Sequence, residues 1–265
     1  MSIKLLALDV DDTLVSDIVT ISDANQAAIA RAQKAGIYVT IATGRGYLGS
    51  NHVWRTLKIE GPVINYGGAI VTDTRTNQLI HATEVPNELV QEILGIAEKE
   101  NVYAQIYQGD TIVTESDDAI ARNYTRALSL PLVIDPMIRK KVWENVPKVL
   151  FIAEHERAEE LIPKMQAHFA GRLKVSGSKA GFVEFNHLCA HKGAALQWLA
   201  ERLGIARHEV AAMGDNSLDL EMLEWAGIGA AVGNATEKVK GIADLIVPAC
   251  VEDGVAWFIN NHMLK

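Results

Sequence analysis

Three aspartates, Asp9, Asp11 and Asp12, close the apolar run in LALDVDDTL, residues 6 to 14. Carboxylates this close repel one another, and one is forced to hold its proton unless a cation or a ring of donors sits among them. A second acidic pair, Asp215 and Asp219 in AAMGDNSLDLEML, follows another apolar run near the far end of the chain. On a strand, alternate side chains share a face, so Asp9 and Asp11 point one way and Val10 the other. If the two apolar runs are neighbouring strands, Asp9, Asp11 and Asp215 converge on one point. Hard oxygen ligands left partly open to water suit Mg²⁺. Taken singly, each motif has a plainer account: a solvated turn with Asp12 or Thr13 as a local cap, and helix capping by Asp215 with Asp219 on the surface.

Two further pieces suit a phosphate. ATGR ends an apolar stretch with Thr43, followed by Gly44 and Arg45, and a hydroxyl with neighbouring N–H groups there can donate to phosphate oxygens. Lys192 stands at the start of a predicted helix, where its ammonium group and the free N–H groups both attract an anion. Alone, Thr43 reads as a strand-end hydroxyl and Lys192 as a surface lysine; the set carries the weight.

The elements that must position these residues alternate regularly at first. IKLLALDV reads as a buried strand, SDANQAAIARAQKAG as a helix capped by Ser22 or Asp23, and IYVTIAT as a second strand. RGYLGSNHVWRTLKIEG then reads as a helix and PVINYGG as a third strand, giving the β-α-β-α-β order of a parallel sheet. In open parallel sheets the carboxyl ends of the strands are where ligands bind, which is where the aspartates fall.

From about residue 68 strand pairs mix with helices. AIVTDTRTNQLIHATEV resembles two short strands, PNELVQEILGIAEKEN a helix, and VYAQIYQ with TIVTES a hairpin turning at Gly109 and Asp110. KVLFIAE, HERAEELIPKMQAHFAG, LKVSGSK and GFVEFN follow as strand, helix, strand, strand. The expected organisation is a discontinuous doubly wound α/β domain over residues 1–82 and 186–265, interrupted by an α+β insertion over 83–185.

The chain of 265 residues is long enough for two such units, and 49% apolar with 22% charged residues describes a folded globular protein. A formal charge of −8 with no basic run argues against nucleic acid or an anionic membrane as a partner. Cys189 and Cys250, the only cysteines, stand in no metal or disulfide spacing. Asp9 cuts the N-terminal apolar segment below the length of a signal-peptide core, and no stretch reaches membrane-spanning length. A cytoplasmic monomer or small homo-oligomer is expected.

In order along the chain, LDVDDT, ATGR, HKG and GDNSLD match the DxDxT, Thr/Ser, lysine and GDxxxD motifs, and NYGGAI, AVGNAT and VEDGVAWFINNHML extend the match. The chain thus resembles a haloacid dehalogenase (HAD) superfamily phosphatase of the Cof type over essentially its whole length. The resemblance implies a Mg²⁺-dependent phosphatase with a Rossmann-like core and an inserted cap. Asp9 would be the nucleophile forming an aspartyl-phosphate and Asp11 the general acid and base. Asp9, the backbone carbonyl of Asp11 and Asp215 would hold Mg²⁺; Thr43, Gly44, Arg45 and Lys192 would bind substrate; Asp219 would orient the metal shell, with Asn216 beside it. The implied partner is a small phosphorylated metabolite, sugar phosphates leading, and flavin mononucleotide or pyridoxal phosphate next. Arg45, Asn65, Gly67, Gly68, Ser176 and Glu184 are further candidates at the mouth. Two positions depart from the pattern: Asp12, where Gly is common, and Leu218, where Asn is common and an apolar side chain cannot donate a hydrogen bond.

Two rivals stand beside this reading. GRGYLG, residues 44 to 49, matches GxGxxG after a strand, but the acidic residue a dinucleotide fold needs after the next strand is missing: Glu60 precedes it and Asn65 ends it. A catalytically weakened protein that only binds a phosphorylated metabolite or partner is the other, with Leu218 as its sign.

Overall fold

The computed structural model describes residues 2–17, 19–177 and 180–264. Its first strand, β1 (Leu5–Leu8), is buried along its whole length, as the continuous apolar run LLAL requires of a central parallel strand. The chain then passes through the acidic loop into α1 (Asp23–Lys34), where the Ser22 hydroxyl accepts from Asn25 N at 3.1 Å and caps the helix. β2 (Tyr38–Ile41) returns beside β1 in parallel register.

Two departures follow. The helix expected over 45–61 shrinks to α2 (Asn51–Thr56), preceded by a 3₁₀ turn at Leu48–Ser50. Gly46 and Gly49 are poor helix formers, and Gly46–Gly49 groups with the second compact unit rather than the first. The third strand, β3 (Pro62–Asn65), does not extend the main sheet. It meets the chain just past β2 at the isolated parallel bridge Ala42–Ile64 and pairs antiparallel with β4 (Ile70–Asp73), in a three-stranded sheet completed by β5 (Gln78–Ala82). The reversal is made at Tyr66–Gly68, where all three residues take positive φ.

The second unit comprises Gly46–Gly49 and Ala82–Ala190. It runs α3 (Asn87–Lys99), β6 (Tyr103–Gln108), β7 (Thr111–Thr114), α4 (Ala119–Leu128), β8 (Leu132–Ile134), β9 (Val149–Ile152), α5 (His155–His168), β10 (Leu173–Ser176) and β11 (Phe182–His187). Its six strands lie in the order β10-β11-β9-β6-β7-β8, and the β6–β7 hairpin turns at Gly109 and Asp110. Ile106, Val149, Phe151, Val183 and Phe185 of the sheet pack with Val90, Ile93 and Leu94 of α3 and Leu161 and Met165 of α5 in one core. The end of the predicted strand LKVSGSK, at Ser178 and Lys179, lies outside the described residues. The expected return to the first domain at residue 186 falls inside β11, whose terminal turn, Ala190 N to His187 O at 3.0 Å, keeps residues to Ala190 with the second unit.

The first unit resumes at His191 with α6 (Lys192–Leu203), β12 (Val210–Gly214), α7 (Leu220–Trp225), β13 (Ile228–Val232), α8 (Glu237–Ile242), β14 (Leu245–Val247) and α9 (Gly254–Phe258). The parallel sheet reads β14-β13-β12-β1-β2. Leu5 pairs with Val210 and Leu8 with Met213, so the two acidic loops leave neighbouring strands at the same edge. No helix among the described residues is long and apolar enough to cross a membrane.

Candidate active site

Asp9 follows β1 directly and is 3% exposed, its N–H bonded to Met213 O at 3.0 Å. Lys192, the first residue of α6, is buried as deeply and donates from Nζ to Asp9 Oδ1 and to Asp219 Oδ1, the latter at 2.6 Å. The lysine therefore bridges two carboxylates from different loops. His191 caps this helix, its Nδ1 accepting from Ala194 N at 3.2 Å.

Asp219 is fully buried, and its second oxygen accepts from Asp215 N at 3.0 Å and Asn216 N at 3.1 Å. It reaches them because residue 214 is glycine: a Cβ there would fall 2.4 Å from the Asp219 Cβ. Asp215 Oδ1 accepts from the Thr13 hydroxyl at 3.2 Å and from Asn216 Nδ2 at 3.1 Å. Oxygens of Asp9, Asp215 and Asp219 lie within 4.8 Å of one another.

Burial drives the Asp9 carboxyl well above the usual carboxylate range; attraction to Lys192 pulls it back, and repulsion from Asp219 and Asp215 adds to the rise. Burial, then Asp219, pushes Asp215 up to about 6. For Lys192 burial opposes the charge, yet Asp9 and Asp219 outweigh it and its pKa is raised. Three buried carboxylates thus share one ammonium group.

These residues fit a divalent cation. Asp9 Oδ2 is buried with no hydrogen-bond partner, an arrangement that costs a carboxylate dearly unless something positive approaches it. Both oxygens of Asp219 already accept hydrogen bonds, as do Asp9 Oδ1 and Asp215 Oδ1, so the oxygens with most capacity are the Oδ2 atoms of Asp9 and Asp215. An all-oxygen donor set is the chemistry of Mg²⁺ or Ca²⁺ rather than of a softer metal.

Asp11 stands apart from this cluster. The strand alternation that would point it with Asp9 has ended, since Asp12 takes φ +58° and Asp11 bridges to Val15. Its carboxylate is instead held by Arg45 in a two-pronged ion pair, Nη2–Oδ1 at 2.6 Å and Nε–Oδ2 at 3.1 Å. Arg45, expected at the substrate, is thus engaged with Asp11. Thr43 is fully buried beside β3, its hydroxyl accepting from Arg45 N at 3.1 Å and its N–H bonded to Ile64 O. Asn65 donates to Ser50 Oγ at 2.9 Å and Arg45 O at 3.3 Å, while Gly67 N bonds Thr43 O, so these two brace the Thr43–Arg45 turn. Gly68 packs against the His191 backbone, where a Cβ would fall 2.3 Å away. Ser176 and Glu184 belong to the second unit, paired across β10 and β11, with Glu184 bonded to Lys148 at 2.9 Å.

Two residues of the site were not singled out from the sequence. Thr13 reads from the sequence as a turn cap, and its place as the last letter of DVDDT is the signal for a site role. Asn234, in the quoted AVGNAT, donates to Asp12 O and accepts from Cys250 N, both at 2.7 Å, and so pins the acidic loop to the end of β13.

Comparison with known proteins agrees with this geometry. The haloacid dehalogenase-like hydrolase family matches residues 6–259. The chain is 30% identical to 5-amino-6-(5-phospho-D-ribitylamino)uracil phosphatase YitU of Bacillus subtilis over 97% of each protein. It is 26% identical to pyridoxal phosphate phosphatase YbhA of Escherichia coli over the whole of both. A haloacid dehalogenase-like hydrolase from Bacteroides thetaiotaomicron superposes with a TM-score of 0.85 at 28% identity, over 98% of this chain and 99% of that one. A match across nearly all of the chain, on a parallel sheet that carries the paired acidic loops and the buried lysine, places it in one family: the chain belongs to the haloacid dehalogenase-like hydrolases.

Proposed function

We propose that the protein is a Mg²⁺-dependent phosphatase that hydrolyses phosphomonoesters of small metabolites through an aspartyl-phosphate. The observation that carries the reading is the buried Lys192 bridging Asp9 and Asp219 while Asp9 Oδ2 is left without a partner. Asp9 is the attacking group: one of its carboxylate oxygens forms an O–P bond as the ester oxygen leaves phosphorus. Asp11 gives that oxygen its proton, then takes a proton from the water that cleaves the acyl phosphate, so both carboxyls end as they began. To donate, Asp11 must leave the Arg45 fork, in which it only accepts, and take up a proton from solvent before the first turnover; the attacking water then restores that proton. Thr43 and the following N–H groups offer donors to phosphate oxygens, and Lys192 keeps Asp9 oriented while offsetting the charge that develops on the phosphoryl group. When bound at Asp9 and Asp215, with the backbone carbonyl of Asp11, Mg²⁺ adds a second compensating charge.

Sugar phosphates and phosphorylated cofactors are the two substrate classes. Of the relatives, the one acting on pyridoxal phosphate supports the second, while the one acting on a 5-phosphoribitylaminouracil, whose ester sits on a sugar-alcohol chain, supports the first as well. The test is phosphate release from a panel of both classes with Mg²⁺. Asp9→Asn should lower turnover by about 10³-fold or more on every substrate, since no other carboxylate can take its place as nucleophile. Equal turnover by the variant, or none by the wild type on any ester, would defeat the proposal.

A further inference from the structure

Leu218 stands out among the residues around the acidic cluster. Asp215 and Asp219 on either side of it are buried, yet Leu218 is 45% exposed, so the loop that buries two carboxylates presents this side chain to solvent. Its side chain reaches the turn after Thr43: a Cβ on Gly44 would lie 3.9 Å from Leu218 Cδ1, ordinary van der Waals contact. The polar work of the loop is done by Asn216, which donates to Asp215 Oδ1 and accepts from Leu218 N at 2.9 Å. Leu218 is left with no hydrogen bond to make from its side chain.

An ester attacked by buried Asp9 must point its alcohol outward, toward the exposed rim of the loops after Thr43 and Asp215, where Gly44 and Leu218 meet. We infer that Leu218 is a specificity-determining residue that selects esters whose alcohol carries an apolar or aromatic face within a few atoms of the ester oxygen. This rests on the phosphatase reading and narrows its substrate class. Polyhydroxylated alcohols are disfavoured at the rim because a hydroxyl pressed against leucine loses water without gaining a partner, whereas an aryl or arylmethyl group replaces water with contact.

Benzyl phosphate and glycerol 3-phosphate test this, since both leave as simple alcohols and differ in the group that meets the rim. Leu218→Asn should lower the benzyl-to-glycerol ratio of kcat/KM by about tenfold, mostly through a higher KM for the benzyl ester, the scale expected for one apolar contact. Leu218→Met, which keeps an apolar contact, should hold the ratio within about twofold. A ratio unchanged in Leu218→Asn, including one in which both esters lose equally, overturns the inference while leaving the phosphatase reading intact. A ratio that falls as far in Leu218→Met also overturns it. No turnover of either ester by a wild type that hydrolyses members of the metabolite panel overturns the inference alone; the phosphatase reading falls only if the whole panel is untouched.

Discussion

At the scale of single residues the site is defined by a charge imbalance. Asp9, Asp215 and Asp219 are buried together with one cation, Lys192, and desolvation works against the charges of Asp9, Asp215 and Lys192. Removing the lysine is therefore far worse than removing a surface partner. Lys192→Met should destabilise the metal-free protein by about 3–5 kcal/mol near neutral pH, the cost of leaving buried carboxylates uncompensated. The sign with pH follows from the raised pKa of Asp9. Without Lys192 the folded-state value rises further, so the penalty is absent below the unfolded carboxyl pKa of about 4, where both states are protonated, and grows as pH rises through the raised folded-state values. Urea denaturation with chelator, at neutral pH and near pH 3, measures both limbs; an equal loss at the two pH values would show that the lysine acts by packing alone. Asp9 and Asp215 were legible in the sequence because clustered carboxylates directly after a buried run need a cation. Thr13 and Asn234 were not, because their partners lie on loops that only the folded sheet brings near.

At the scale of elements, the site depends on how closely α6 and α7 approach. Gly193 makes this possible: a Cβ there would fall 2.4 Å from Glu221 O, a backbone atom that cannot swing aside. Two effects of Gly193→Ala oppose each other. Helix propensity favours alanine by about 1 kcal/mol, whereas overpacking of this kind costs about 1–3 kcal/mol, so the net change should be destabilising. Because Gly193 follows Lys192 in the chain, a displaced helix also moves the ammonium group. Gly193→Ala should lower both the denaturation midpoint and turnover, while a more stable variant with unchanged kcat would refute the close-packing argument. The same tertiary dependence explains which elements the sequence hid. β1 and α1 were legible from an unbroken apolar run and a serine cap, whereas β3 changes sheets at three positive-φ residues, and the three-residue β8 and β14 exist only through their neighbours' hydrogen bonds. The helix expected over 45–61 starts late for a similar reason, since Gly46 and Gly49 leave it to begin only at Asn51.

At the scale of the whole molecule, a net charge of −8 makes any divalent cation welcome, so specific binding must be separated from general screening. Asp215 supplies the separation. Its pKa is pushed up to about 6 by burial and by Asp219, which means its charge opposes folding above the unfolded carboxyl range when no cation is present. Asp215→Asn removes that charge and should raise the thermal midpoint of the metal-free protein near neutral pH. Mg²⁺ at about one hundred times its Kd should stabilise the wild type by roughly 2.7 kcal/mol, or roughly 5–10 °C for a chain of this size. The variant, lacking one of the two carboxylates with free capacity, should lose most of that increment. Thermal melts of both proteins in chelator, in Mg²⁺ and in sodium chloride of matched ionic strength read the crossing directly. If the variant melts below the wild type in chelator, or keeps the full Mg²⁺ increment, Asp215 does not hold the cation and the shared-ion account of the site falls with it.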